Sequence, residues 1–183
     1  NYEYISTEDD MTKVFVNERS EFFAVANDAK IQITFDAAKI DSYRLIGYEN
    51  RVLSNEDFEN DEKDAGEIGA GQTITALYEI VPVAEETASE GPLAVFDFRY
   101  KKTLGAESIP LTLDVTMPEE VSSEFDFAAG VAAYGMILRD SPYKGNADFD
   151  MACELAQSGL SFDPFGYRAD FVDIIKAAKK LAE

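Results

Sequence analysis

The chain has 183 residues, 46% of them hydrophobic, which suits one domain of ordinary size or a domain with an appended piece, and this content fills a real core. Thirty-six acids against sixteen bases give a formal net charge of -20, which repels phosphate backbones and anionic lipid and argues against nucleic-acid or membrane-surface binding. There is no histidine, so Ser/His/Asp and Cys/His catalysis, histidine general bases and imidazole metal ligands are excluded within this chain.

Ser6 and Thr7 precede Asp9 and Asp10 at capping-box spacing, and Met11, Val14 and Phe15 then fall on one face, which predicts a short amphipathic helix from Thr7 to about Arg19. From Phe22 the period changes to two. Phe22 and Val25, then Ile31, Ile33 and Phe35 alternating with Lys30, Gln32, Thr34 and Asp36, read as strands with one buried face. Tyr43 to Tyr48 reads as another strand, followed by a long loop. Three more strands are expected over Ile74 to Val81, over Ala94 to Tyr100 with the aromatic row Phe96, Phe98 and Tyr100, and over Ile109 to Met117. The connections Glu85 to Pro92 and Lys101 to Ser108 are polar and contain glycine. Alternating strands without intervening helices predict antiparallel pairing and a sandwich.

After Pro118 the pattern becomes helical. Phe127, Val131, Tyr134 and Leu138 share a face, while Ala128, Gly130, Ala132, Ala133 and Gly135 make that helix thin enough for close packing. Ser141 to Gly145 reads as a turn, with Asn146 as N-cap of a second helix that Gly159 stops; Phe149, Ala152, Cys153 and Ala156 face inward. A third helix is expected from Asp163-Pro164, with acids early and Lys176, Lys179 and Lys180 late, as the helix dipole prefers. The longest nearly apolar stretch, Ala128 to Leu138, is far shorter than the roughly twenty residues a spanning helix needs. Cys153, the only cysteine, can form no internal disulfide and reads as a packed, unreactive thiol.

Several groups could carry chemistry. The loop from Asn50 to Gly71 is densely acidic, and Asp57, Asp61, Asp64 and Glu67, with Asn55 and Asn60, offer the oxygen ligands that calcium requires, although the spacing is not that of an EF-hand. A solvated acidic loop is the simpler account. Its glycines, Gly66, Gly69 and Gly71, lack the Lys-Ser/Thr and the strand-loop-helix setting of a phosphate site. Asp97 and Asp114 are the strand carboxylates a glycosidase would need, in a chain where so many acids make proximity by chance expected.

Longer strings carry a family signal. Tyr43-Arg44-Leu45-Ile46-Gly47-Tyr48-Glu49-Asn50-Arg51, Asp64 to Gly71, Ala76 to Pro82, Ser141-Pro142-Tyr143-Lys144-Gly145-Asn146 and Asp163-Pro164-Phe165-Gly166-Tyr167-Arg168 resemble, in that order, the C-terminal domain of bacterial von Willebrand factor type A domain proteins. The resemblance implies that residues 1–20 are the last strand and helix of a preceding von Willebrand A domain. The strand and helix periods together predict an α+β fold: an antiparallel β-sandwich over 21–118, followed by a C-terminal three-helix unit over 119–183 packed on it. The chain, which starts at Asn1 with neither a signal core nor an Asp-x-Ser-x-Ser string, reads as an excised piece of an envelope lipoprotein or secreted protein anchored through upstream sequence.

The function expected on this reading is non-enzymatic. The domain packs against the von Willebrand A domain of its own chain and contacts an unidentified envelope protein, with no nucleic acid, no membrane insertion and no cofactor. Calcium binding by the acidic loop, residues 55–67, is the alternative. Arg44, Glu49, Arg51, Tyr143, Lys144 and Arg168 are the candidate interaction residues; the competing account makes the charged ones internal ion pairs that pin the loop and dock the helices.

Overall fold

The computed structural model describes residues 4–48, 54–63, 65–84 and 91–182. The chain divides into two compact units, Asn1–Met117 and Pro118–Glu183. The expected α+β class is found: antiparallel sheets in the first unit and three helices in the second.

The first unit begins with α1, Glu8–Thr12, whose Thr7 cap accepts from Asp10 N while the Asp10 side chain reaches back, the capping box expected from the sequence. The helix does not run on to Arg19. It widens into a π turn, Lys13–Asn17, and then tightens into a 3-10 turn, Arg19–Phe22. Val14 is buried, whereas Met11 and Phe15 remain exposed, so only part of the expected stripe finds cover. Tyr4 and Ile5 lie outside any strand and are exposed, and residues 1–3 are outside the described residues. A Cβ at Gly69 would lie 2.2 Å from the Glu21 carbonyl oxygen, so the 3-10 turn presses on the strand carrying that glycine, and any side chain there would push it off.

The sheet is built on β1, Ala24–Phe35, one long strand where the sequence reading saw two. It is flanked by β3, Gly66–Gly69, and by β5, Ala94–Lys101, which pairs in turn with β6, Ile109–Val115; the order is β3-β1-β5-β6. The glycine-rich Gly66–Gly69 stretch, expected to be loop, is thus an edge strand. Its lack of side-chain bulk conceals the period-two signal. A second antiparallel pair joins β2, Ile40–Ile46, to β4, Leu77–Pro82. The β4 strand starts three residues after the expected Ile74. Phe35 brings the two sheets together, its ring 4.5 Å from Tyr43 and 5.5 Å from Tyr78. Between β1 and β2 the Asp36 carboxylate accepts from Ala38 N and closes the connection.

In the second unit, α3, Ser123–Leu138, is capped by Ser122, and α5 spans Tyr167–Ala182. Between them α4, Phe149–Ser158, is capped by Asp148 and not by the expected Asn146, because the Asp148 carboxylate accepts from Met151 N. The third helix likewise starts at Tyr167, after a turn in which Gly166 takes φ +78. There the Asp163 carboxylate accepts from Arg168 N and Ala169 N and serves as the start signal from outside the helix. Ala133, Ala152, Ala156, Val172 and Ile175 form the core, with Phe127, Tyr134, Phe171 and Cys153 packed against it. The thin helix expected from Gly130 is found: a Cβ there would meet Ala156 N at 2.8 Å and Ala152 O at 3.0 Å. Among the described residues no helix is long and apolar enough to cross a membrane.

Candidate functional site

The register of β1, β5 and β6 sorts their side chains onto two faces. One carries Lys30, Gln32, Arg99, Lys101, Asp97 and Thr112; the other carries Ile31 beside Phe98 and Leu111, then Ile33 beside Phe96 and Leu113.

The polar face is covered at one end by the acidic loop. Its short helix α2, Asn55–Glu59, is capped by Ser54 and buries Phe58. Gln32 Nε2 donates to Asn55 Oδ1 at 2.9 Å. Lys30, 2% exposed, donates to the Asn60 carbonyl at 2.6 Å, and Lys101 donates to the Asp61 carbonyl at 2.7 Å. Both lysines also face one carboxylate oxygen: Asp28 Oδ2 lies 2.7 Å from Lys101 Nζ and 3.7 Å from Lys30 Nζ. Asp28 itself is buried and left-handed, φ +51, at the register shift between Asn27 and Lys30, while Asn27 Nδ2 reaches the Lys102 carbonyl. The bulge re-aims the chain so that the polar groups of Asn27, Asp28 and Lys30 can all be buried. Buried charges persist only when paired in this way.

The calcium candidates are dispersed over this framework. Asp57 sits on α2 with Lys63 at 3.8 Å, and Glu67 is exposed on β3. Asp61 accepts from the Ser108 hydroxyl at 2.7 Å and from Arg99 at 3.3 Å. The Ser108 bond, helped by the Arg99 and Lys101 charges, outweighs desolvation and holds its carboxyl below the usual carboxylate range. Asp64 lies outside the described residues. Among those described, no group of three or more Asp, Glu, Cys or His side chains is placed to hold a metal ion. Asp97, one of the two strand carboxylates, accepts from Thr112 Oγ1 at 2.7 Å.

The interaction candidates are divided between the units. Arg44 pairs with Glu79 directly across the β2/β4 ladder. Glu49 and Arg51 lie outside the described residues. Tyr143 is exposed in the turn after α3, and Lys144 pairs with Asp140 one turn back. Arg168 ties the helical unit together: it pairs with Glu124 at the start of α3, donates to the Gly159 carbonyl at 2.7 Å and stacks 4.7 Å over the Phe127 ring. Glu124 is held below its ordinary pKa by the Arg168 hydrogen bond, and Arg168 is raised by the same bond. Each of these pairs lies within a single unit, and none of the three reaches the acidic loop.

Sequence reasoning missed Asp28, Lys30, Arg99, Lys101 and Ser108. A signal was present: Asn27-Asp28 interrupts the alternation, and these two residue types tolerate a left-handed bulge.

The opposite face of the sheet is apolar and open. Phe96, Phe98 and Tyr100 stack along β5 with centroids 6.4 and 5.4 Å apart, only partly buried, while Ile31, Leu111 and Leu113 are 41%, 53% and 65% exposed.

The family model described as "Uncharacterized protein YfbK, C-terminal" matches residues 20–181. A protein of Escherichia coli (strain K12) described as "Uncharacterized protein YfbK" is 38% identical over 199 aligned positions, which cover 97% of this chain and 34% of that protein. This chain therefore spans about a third of the length of that curated relative. No solved structure matches.

Proposed function

We propose the following for a chain that belongs to the YfbK C-terminal family: it is a non-enzymatic accessory domain of a bacterial envelope protein, whose parent carries a von Willebrand factor type A domain and is anchored through upstream sequence. Its work is contact, with the von Willebrand A domain of the same chain and with a further envelope protein. One observation carries this reading. The sheet face bearing Ile31, Leu111 and Leu113 is apolar and open, beyond what scattered surface leucines explain, and such faces mark contact sites.

Thiol labelling tests it. With Cys153→Ser removing the only native thiol of this chain, and any cysteine of the rest of the parent also replaced, Leu113→Cys is labelled in this chain and in the full-length parent. Slow labelling in the parent and fast labelling here is the expected result, and equal rates overturn the reading. Calcium binding by Asp57, Asp61, Asp64 and Glu67 is the second reading, supported by the exposed acids of the loop. Titration calorimetry with calcium checks it: heat with a raised melting temperature supports the site, and neither at millimolar ion removes it.

A further inference from the structure

We infer that the outer edge of β6 is the contact line of this domain, taking up an extended polypeptide segment as an added strand whose side chains alternate apolar with Lys or Arg. The inference rests on the interaction reading above and names the partner's chemistry. Among the described residues β6 pairs with β5 alone and ends the sheet. Its ladder is regular over Ile109–Val115, with no bulge, and among the described residues the one backbone bond it makes beyond that ladder is Val115 O accepting from Leu93 N.

A row of unpaired N–H and C=O groups is a template for another strand, and proteins blunt such edges with lysines, bulges or very short strands. β6 carries seven residues and no lysine, and of the usual devices it has only Pro110 and Asp114. Side chains select what it accepts. Leu111 and Leu113 continue the rows of Phe98 and Phe96, so an added strand with apolar residues on that side extends an apolar surface already in water. On the other side stand Thr112 and Asp114, in a chain of net charge -20, which favours cationic residues there. A second copy of this chain fits poorly, because it would set one large negative charge against another.

The test uses the whole chain and a capped peptide of alternating lysine and valine. Two controls accompany it: the same peptide N-methylated at alternate residues, and a peptide of identical composition with its lysines in one block. Nuclear magnetic resonance is expected to show shifts centred on the β6 amides, with the alternating peptide at least about tenfold tighter than the N-methylated one. Leu111→Lys/Leu113→Lys, at exposed positions, is expected to abolish that preference while leaving the sheet's spectrum intact. Equal binding of the N-methylated or blocked peptide, or shifts confined to the acidic loop, overturns the inference in favour of general attraction to charge. So does β6 shifting with protein concentration alone, which identifies a second copy as the occupant. Failure of the peptide together with slow labelling of Leu113→Cys in the parent overturns strand addition and leaves the interaction reading standing; fast labelling there overturns the interaction reading itself.

Discussion

The largest fully buried side chain of the helical unit is Ile175, and that of the sheet unit is Lys30. The two units have solved opposite packing problems. In the helical unit small residues let α3 and α4 approach until Gly130 touches the facing backbone, apolar groups fill the centre, and Arg168–Glu124 and Lys179–Asp150 stay on the outside. In the sheet unit a carboxylate and two ammonium groups lie inside, beneath the acidic loop, while the sheet's other face holds leucines in water. A unit that buries its charge and exposes its apolar rows still has apolar surface left to cover. The inversion thus separates a unit whose apolar groups pack on one another from a unit with apolar rows still exposed.

The comparison is most exposed to a change at Asp28. Asp28→Ala leaves Lys30 and Lys101 without their shared carboxylate, and the expected cost is about 3–5 kcal/mol, read by urea unfolding of the sheet signal. Adding Lys30→Met and Lys101→Met should restore only part of that loss: a buried ion cluster replaced whole by apolar groups is often neutral, but the Asn60 and Asp61 carbonyls then lose their donors. A single-variant loss below about 1 kcal/mol would mean that charge does not hold this unit.

Size plays the corresponding role in the helices. Gly130→Leu is expected to cost about 3 kcal/mol and to erase the resonances of the helical unit while those of the sheet remain. Loss of both sets together would break the distinction drawn here.

Acid gives a smaller effect. Glu124 lies below the ordinary glutamate value of 4.5 through the Arg168 bond. Asp163 is also lowered: desolvation pushes it up, but donation from the Ala169, Arg168 and Gly166 N–H groups wins. A carboxylate depressed on folding contributes stability above its unfolded pKa and loses it as pH falls through the folded one. The helical unit should therefore lose stability as pH drops below about 4.5, and Glu124→Gln should flatten that limb in a melting series. Protonation also relieves the general negative charge, but equally in both proteins, so their difference isolates the pair. The smallest effect belongs to Leu113→Lys, expected within about 0.5 kcal/mol of the native chain because the side chain is already exposed.

Legibility followed local physics. The capping box at Thr7, the glycine-alanine face of α3 and the alternation of β5 and β6 were readable because each depends on neighbours a few residues away. The start of α5 was misread because its cap, Asp163, acts across an intervening turn. β3 was missed because glycines carry no side-chain period. The acidic loop was visible as charge, but its fastening was not: Lys30 and Lys101 hold main-chain oxygens of Asn60 and Asp61, and a carbonyl leaves no mark in sequence.

By itself the sequence determined the class of the fold, the absence of histidine and the net charge of -20, since composition and short-range period are properties of the chain alone. Only the tertiary structure decided which face of each strand meets water. Period two says that the faces differ, and pairing register then says which residues share one. Covering one face takes a segment distant in sequence: the loop that buries Lys30 is fastened to β1 and β5 by bonds spanning 30 and 40 residues. One end of a polar alternation that reads as solvent-facing became interior because that loop closed over it, and the apolar rows that read as core stay half-buried at Phe96 and Phe98 and exposed at Ile31, Leu111 and Leu113.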